Sequence, residues 1–132
     1  MRIFKTRTLA KFTRQHGVSD AALVEAVHRA MSGLIDAELG GRVIKQRVAR
    51  SGQGKRGGFR MLIGFSPDRA IYLFAFAKNE RENIAHGELL TLREIAATFL
   101  NATTEKIARA LEDGTLIEVY DADESKGKKD KD

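Results

Sequence analysis

Alternation of apolar and polar residues marks the middle of the chain as extended, and helical spacing marks both flanks. In residues 42–48 (RVIKQRV), Ile44, Gln46 and Val48 point one way and Val43, Lys45 and Arg47 the other. In residues 59–65 (FRMLIGF), Phe59, Met61, Ile63 and Phe65 form an apolar face opposite Arg60, Leu62 and Gly64. Residues 70–77 (AIYLFAFA) are apolar on both faces, as a central strand requires. Pro67 at the second position of Ser66–Arg69 suits a type I turn. These segments read as an antiparallel meander.

Before the meander, residues 2–5 fit a short strand. Thr8 is placed to cap a helix over Leu9–His16, which Gly17 stops, and Ser19 to cap a second helix with Asp20 in its first turn. Leu23, Ala26, Val27, Ala30, Met31 and Leu34 recur at helical spacing, so the two helices are expected to form a hairpin on the sheet. After the meander, Leu89, Leu92, Ile95, Ala96 and Phe99 mark a helix over 88–100. A shorter helix spans 103–112 and ends at Asp113-Gly114, and residues 115–120 fit a last edge strand. The pattern predicts an α+β fold: an N-terminal helical hairpin packed on a small, mainly antiparallel twisted sheet, with C-terminal helices. Residues 1–120 are expected to be a single domain, and the charged tail 121–132 to be disordered.

Composition narrows the class. The 132 residues contain 42% hydrophobic positions, enough for a core at this length. There is no Cys, which excludes disulfides, thiolate metal sites and Cys nucleophiles and suits a reducing compartment. The opening MRIFKTRTLAKF lacks a signal-like apolar stretch and no window is long enough for a membrane span, so a cytoplasmic protein without a membrane partner is expected. The net charge of +5 is unevenly spread. Residues 1–120 carry 19 Lys/Arg against 13 Asp/Glu, whereas 121–132 carry four Lys against five acids. Arg42, Lys45, Arg47, Arg50, Lys55, Arg56 and Arg60 fall in one stretch without an acid. A solvated basic loop and a polyanion site fit this cluster equally. If helices cover the face of Ile44, Val48, Phe59 and Met61, the other face carries Lys45, Arg47 and Arg60, with Lys78 at the end of the central strand nearby: a phosphate-binding surface.

Other features are weaker. Gly52-x-Gly54-x-x-Gly57 matches a dinucleotide fingerprint by letters, but it lies between strands and opens no helix. His16, His28 and His86 share no metal-ligand spacing, so no metal site and no cofactor is expected. Tyr72, Phe74 and Phe76 fit a core strand better than a base-stacking platform. Asp36 and Glu38 lie before the Gly40-Gly41 break and are set aside as acid/base partners.

The run Gly57-Gly58-Phe59-Arg60, a hairpin, and then Phe74 to Ile84 (FAFAKNERENI) resembles the RelE/HigB-like toxins of bacterial toxin–antitoxin pairs, within the RelE/ParE superfamily. The order of elements agrees, and the likeness covers residues 1–100, with 101–120 following more loosely. The resemblance implies a metal-independent endoribonuclease (an mRNA interferase), often acting on the ribosome to inhibit translation, and a cognate antitoxin, either a helix-turn-helix or an acidic protein from an adjacent gene. It places catalytic positions on Lys45, Arg47, Arg60 and Lys78. RNA contacts would fall to Arg50, Lys55, Arg56, Asn79 and Arg81, and His86 is a candidate acid. Asn79 stands where relatives often have a second basic residue, and Ala85-His86 where they often have a Tyr.

Metal-free RNA cleavage uses the substrate's own 2′-hydroxyl as nucleophile. The protein must take that proton, stabilise a doubly charged phosphorane-like state and help the 5′-oxygen depart. Arg60 and Arg47 suit the second task, because a guanidinium fork matches phosphate oxygens. A lysine becomes a base where neighbouring cations favour its neutral form, which makes Lys45 the candidate beside Arg47 and Arg60. Lys78 or His86 would serve the leaving group. The alternative class is the same fold without this chemistry: a ParE-like gyrase poison or a non-catalytic RNA-binding module.

Overall fold

The computed structural model describes residues 1–50, 54–78 and 84–121. Its elements run β1 (Arg2–Thr6), α1 (Arg7–His16), α2 (Asp20–Met31), β2 (Ala37–Glu38), β3 (Val43–Arg50), β4 (Gly54–Phe65), β5 (Arg69–Ala77), α3 (His86–Leu100), α4 (Thr104–Glu112) and β6 (Leu116–Val119). The α+β class holds, but the sheet differs from a simple meander. Six strands lie in the order β2-β3-β4-β5-β1-β6, and β1 pairs with β5 in parallel. The intervening chain carries two helices and three strands, so β1 returns to the sheet beside the last strand of the meander. The remaining pairings are antiparallel.

Three helices start on hydroxyl caps that satisfy otherwise orphaned amides. Thr6 Oγ1 accepts from Leu9 N, Ser19 Oγ from Ala22 N and Thr103 Oγ1 from Lys106 N, each at 3.2 Å. Thr6, rather than Thr8, therefore begins α1, two residues earlier than the apolar spacing suggests. Gly17 ends it in the left-handed region at φ 65°. Both N-terminal helices pack on the same face of the sheet. α1 lies on β5 and β1 and α2 on β3 and β6, each packed on the sheet more than on the other helix.

The larger correction concerns the far side of the sheet. One face packs Leu9, Leu23 and Val27 of α1 and α2 against Ile44, Val48, Phe59, Met61, Ile63 and Tyr72. The opposite face is also a core: Leu92 and Ala96 of α3 and Ile107 and Ala110 of α4 meet Phe4, Val43, Leu62 and Ile71. Gly64 makes this possible, since a Cβ there would stand 3.0 Å from the Ala96 Cβ. Arg69, at the start of β5, donates to the carbonyls of Phe99 at 2.7 Å and Ala102 at 2.9 Å, fixing the C-terminal end of α3. The expected open basic face is thus confined to one end of the sheet.

Tyr72 and the two phenylalanines do not share a face. Leu62 pairs with Phe74 while Ile63 pairs with Tyr72, so β5 carries an extra residue at Leu73. Tyr72 enters the α1/α2 core, where its hydroxyl donates to the Leu23 carbonyl at 2.6 Å. Complete burial pushes its ionisation far above the usual range. Phe74 turns to the α3 side, and Phe76 lies opposite Arg60. The strand β4 begins at Gly54, so pairing reaches well into the stretch read as a Gly-rich loop. The tail 122–132 lies outside the described residues.

Candidate functional site

The alternation of β3 and β4 builds the site. Arg47 and Arg60 are direct cross-strand partners, and Lys45, two residues back on β3, points to the same side. With Asp36 they line an open cavity of about 270 Å³. Juxtaposed cations are costly unless something negative offsets them. Part of the offset is Asp36, whose Oδ1 lies 3.5 Å from Arg47 Nη2. Arg60 Nη1 is shielded from solvent and finds no acceptor among the described residues. A buried guanidinium N–H without a partner is uncommon and marks a place where an acceptor is missing.

Asp36 is the residue that the sequence reading set aside. The Gly40-Gly41 break is the tight turn of a hairpin rather than a separation. Gly40 (φ 79°), Gly41 (φ 60°) and Arg42 (φ 62°) are all left-handed, and the Val43 amide donates to the Gly40 carbonyl at 3.0 Å. The turn folds β2 back onto β3, with Ala37 opposite Lys45 and Glu38 opposite Ile44. Continued one residue, that register brings Asp36 across from Gln46, and its side chain reaches Arg47. Gln46, completely buried, fixes the approach from below. Its Oε1 accepts from Asp36 N at 2.8 Å, and its Nε2 donates to the carbonyls of Ala26 at 3.0 Å and Leu34 at 3.1 Å. Gln46, a polar residue between Ile44 and Val48 on an otherwise apolar strand face, is the sequence signal that could have pointed here.

The remaining predicted positions are not gathered into this cavity. Arg50 lies with its guanidinium 5.5 Å from the ring centre of Phe59, on the α1/α2 side, because along β3 it alternates with Arg47 and shares the face of Ile44, Gln46 and Val48. The same ring meets Phe12 and His16 edge-on, at 4.8 Å and 5.1 Å between centres. Lys78 is exposed in the turn after β5, and His86 is exposed at the start of α3; neither is among the described residues lining the cavity. The side chains of Lys55 and Arg56, and all of Asn79 and Arg81, lie outside the described residues.

A larger hollow, about 600 Å³, runs between α2 and Tyr120. Its charged groups pair with neighbours: Asp20 with Lys5 at 3.1 Å, Glu25 with Arg29, and Asp121 with His28 at 2.9 Å. It brings no cluster of cations together, so the smaller cavity is the stronger candidate despite its size. Among the described residues, no group of three or more His, Asp or Glu is placed to hold a metal ion. No helix among them is long and apolar enough to cross a membrane.

Fold and cavity together define an α+β protein whose mixed sheet is covered on both faces and left open at a cationic end. The chain belongs to the RelE toxin family: the model of the RelE toxin of the RelE / RelB toxin-antitoxin system matches residues 1–119. No relative among curated proteins matches it. It is thus a toxin of a toxin–antitoxin system, a class that has a cognate antitoxin as partner.

Proposed function

We propose that the protein is an endoribonuclease that inhibits translation by cutting mRNA on the ribosome, with residues 1–120 as the toxin unit and no metal required. The observation that carries this reading is the cavity where Arg60 stands opposite Arg47 with Lys45 beside them, and where Arg60 Nη1 finds no acceptor among the described residues. A phosphodiester in the cavity offers these cations an anionic partner. The two guanidinium groups then face the non-bridging oxygens, where negative charge grows as the 2′-oxygen attacks phosphorus. Lys45 takes the 2′-hydroxyl proton as general base. The P–O5′ bond breaks, leaving a 2′,3′-cyclic phosphate on one product and a 5′-hydroxyl on the other. The 5′-oxygen takes its proton from an acid brought in from the turn after β5 or the start of α3, with Lys78 or His86 as the donors. Lys55, Arg56, Asn79 and Arg81 extend the contact along the RNA backbone, and a cognate helix-turn-helix or acidic antitoxin opposes the activity in the cytoplasm.

The test is primer extension on an mRNA in a cell-free translation reaction, with wild type beside Arg60→Ala and Arg60→Lys. New 5′ ends within codons for the wild type, and loss of about 100-fold or more for Arg60→Ala, are expected from removing a donor to the developing charge. Arg60→Lys keeps the charge without the fork and falls between. Undisturbed translation with wild-type protein would refute the reading and favour a gyrase poison.

A further inference from the structure

We propose that Asp36 is a positioning residue for the cleavage reaction, acting through Arg47; this rests on the RNA-cleaving reading above. The strand β2 is only two residues long and pairs only with Ile44 and Lys45. Among the described residues no strand neighbours this edge of β3 from Gln46 onward, and exposed strand edges leave backbone groups to be satisfied by other means. At Arg47 side chains take over that task. Asp36 Oδ2 accepts the Arg47 backbone N–H at 2.7 Å, and Arg29, from α2, donates to the Arg47 carbonyl. The same carboxylate faces the Arg47 guanidinium through Oδ1 at 3.5 Å and Arg29 Nη1 through Oδ2 at 3.9 Å. Arg47 is therefore gripped at its N–H, its carbonyl and its side chain.

The grip on the side chain is loose. At 3.5 Å the carboxylate restrains the fork without consuming all of its five donors. The Arg47 side chain remains 47% exposed and can turn donors to a phosphate. Asp36 thus carries two opposing effects. Its charge lowers the cavity's attraction for RNA, and its geometry aims Arg47 at the reacting phosphate. A residue that only finished the strand edge would show neither effect in kinetics.

The opposition makes the inference testable. Asp36→Asn keeps an oxygen for the Arg47 N–H but loses the charge. Single-turnover cleavage of an mRNA on ribosomes should fall about 10-fold to 100-fold from the lost alignment. Binding to an oligoribonucleotide blocked by 2′-deoxy substitution should instead tighten, by about 3-fold to 10-fold at low salt, because a negative charge has left a cationic site. In an Arg47→Ala background the same change should cost no further rate. Thermal midpoints of all variants are compared alongside, and Asp36→Ala, which loses the edge contact too, reports the structural share. A wild-type rate for Asp36→Asn overturns the inference, as does an equal loss in both backgrounds or weakened RNA binding. If Arg60→Ala and Arg47→Ala both cut like the wild type, the underlying RNA-cleaving reading fails instead.

Discussion

Replacing Gln46 with Leu tests how the cationic cavity is anchored to the core. Gln46 is completely buried and makes three hydrogen bonds: to the Ala26 carbonyl, the Leu34 carbonyl and the Asp36 amide. Each bond contributes about 1 kcal/mol net, and the orphaned Asp36 amide adds about 1 kcal/mol or more of uncompensated desolvation. A buried leucine recovers about 1–2 kcal/mol through its apolar surface. The difference leaves a loss of about 2–3 kcal/mol, or a fall of about 8 °C in Tm for a chain of this size. Gln46→Glu keeps the shape but turns a carboxylate oxygen toward two carbonyls, and should cost more than Gln46→Leu. Urea titrations followed by far-UV circular dichroism give both values, with the slope of the transition checking that the unfolded state is unchanged. A Gln46→Leu protein as stable as the wild type, or a Gln46→Glu protein no worse than it, would refute the reasoning. The glutamine would then be only a tolerated polar residue and not the anchor of the β2 edge.

Three further substitutions probe the scaffold around the site. Tyr72→Phe removes a hydroxyl bonded to the Leu23 carbonyl at 2.6 Å; urea titration should show a loss of about 1–2 kcal/mol. Arg69→Ala frees the carbonyls that end α3; amide exchange should rise at residues 99–102, and the unfolding free energy should fall by about 1–3 kcal/mol, as for a charged hydrogen bond. Gly58→Ala places a Cβ 2.0 Å from the Val48 carbonyl oxygen, which is backbone and cannot rotate away. The β3–β4 ladder must open beside Arg47 and Arg60, so this variant should lose both stability, by about 2 kcal/mol or more, and RNA cleavage in the primer-extension assay; full activity would show that the ladder tolerates a side chain there.

The strands and helices were largely legible because most of them bury one face. Val48, Phe59, Met61 and Ile63 follow the period of two that a half-buried strand imposes, and Leu23, Ala26, Val27 and Ala30 the period of a helix. What escaped was set by pairing and turns. Nothing in residues 2–6 alone says that β1 lies parallel to β5 rather than at the sheet's margin. The extra residue at Leu73 breaks the even spacing that groups Tyr72 with Phe74, because a bulge changes which face a side chain takes without changing its position in the chain. Arg50 is lost to the basic surface for a simpler reason: it stands two residues after Val48, so alternation turns it to the α1/α2 face, onto Phe59.

Asp36 was missed through a misreading of two glycines, and the error shows how the site is made. Gly-Gly reads as a break in the sequence, yet left-handed residues are what a tight hairpin turn needs, and the turn folds the acid onto the basic strand. The cationic cavity then follows from where each cover ends. On the α3 side, Val43 and Leu62 are buried under the helix, while Lys45, Arg47 and Arg60 continue the same face without joining that core. Apolar residues at the covered end and cations beyond it give one sheet face two duties. The rigid, hydrogen-bonded part of the ladder holds the charges at fixed spacing, and Asp36 and Gln46 tie the open edge of β3 to α2. Three like charges on adjacent strands would otherwise push the ladder apart. The core pays for that repulsion in advance, so the guanidinium groups are already in place when an anion arrives and little reorganisation is left to the moment of reaction.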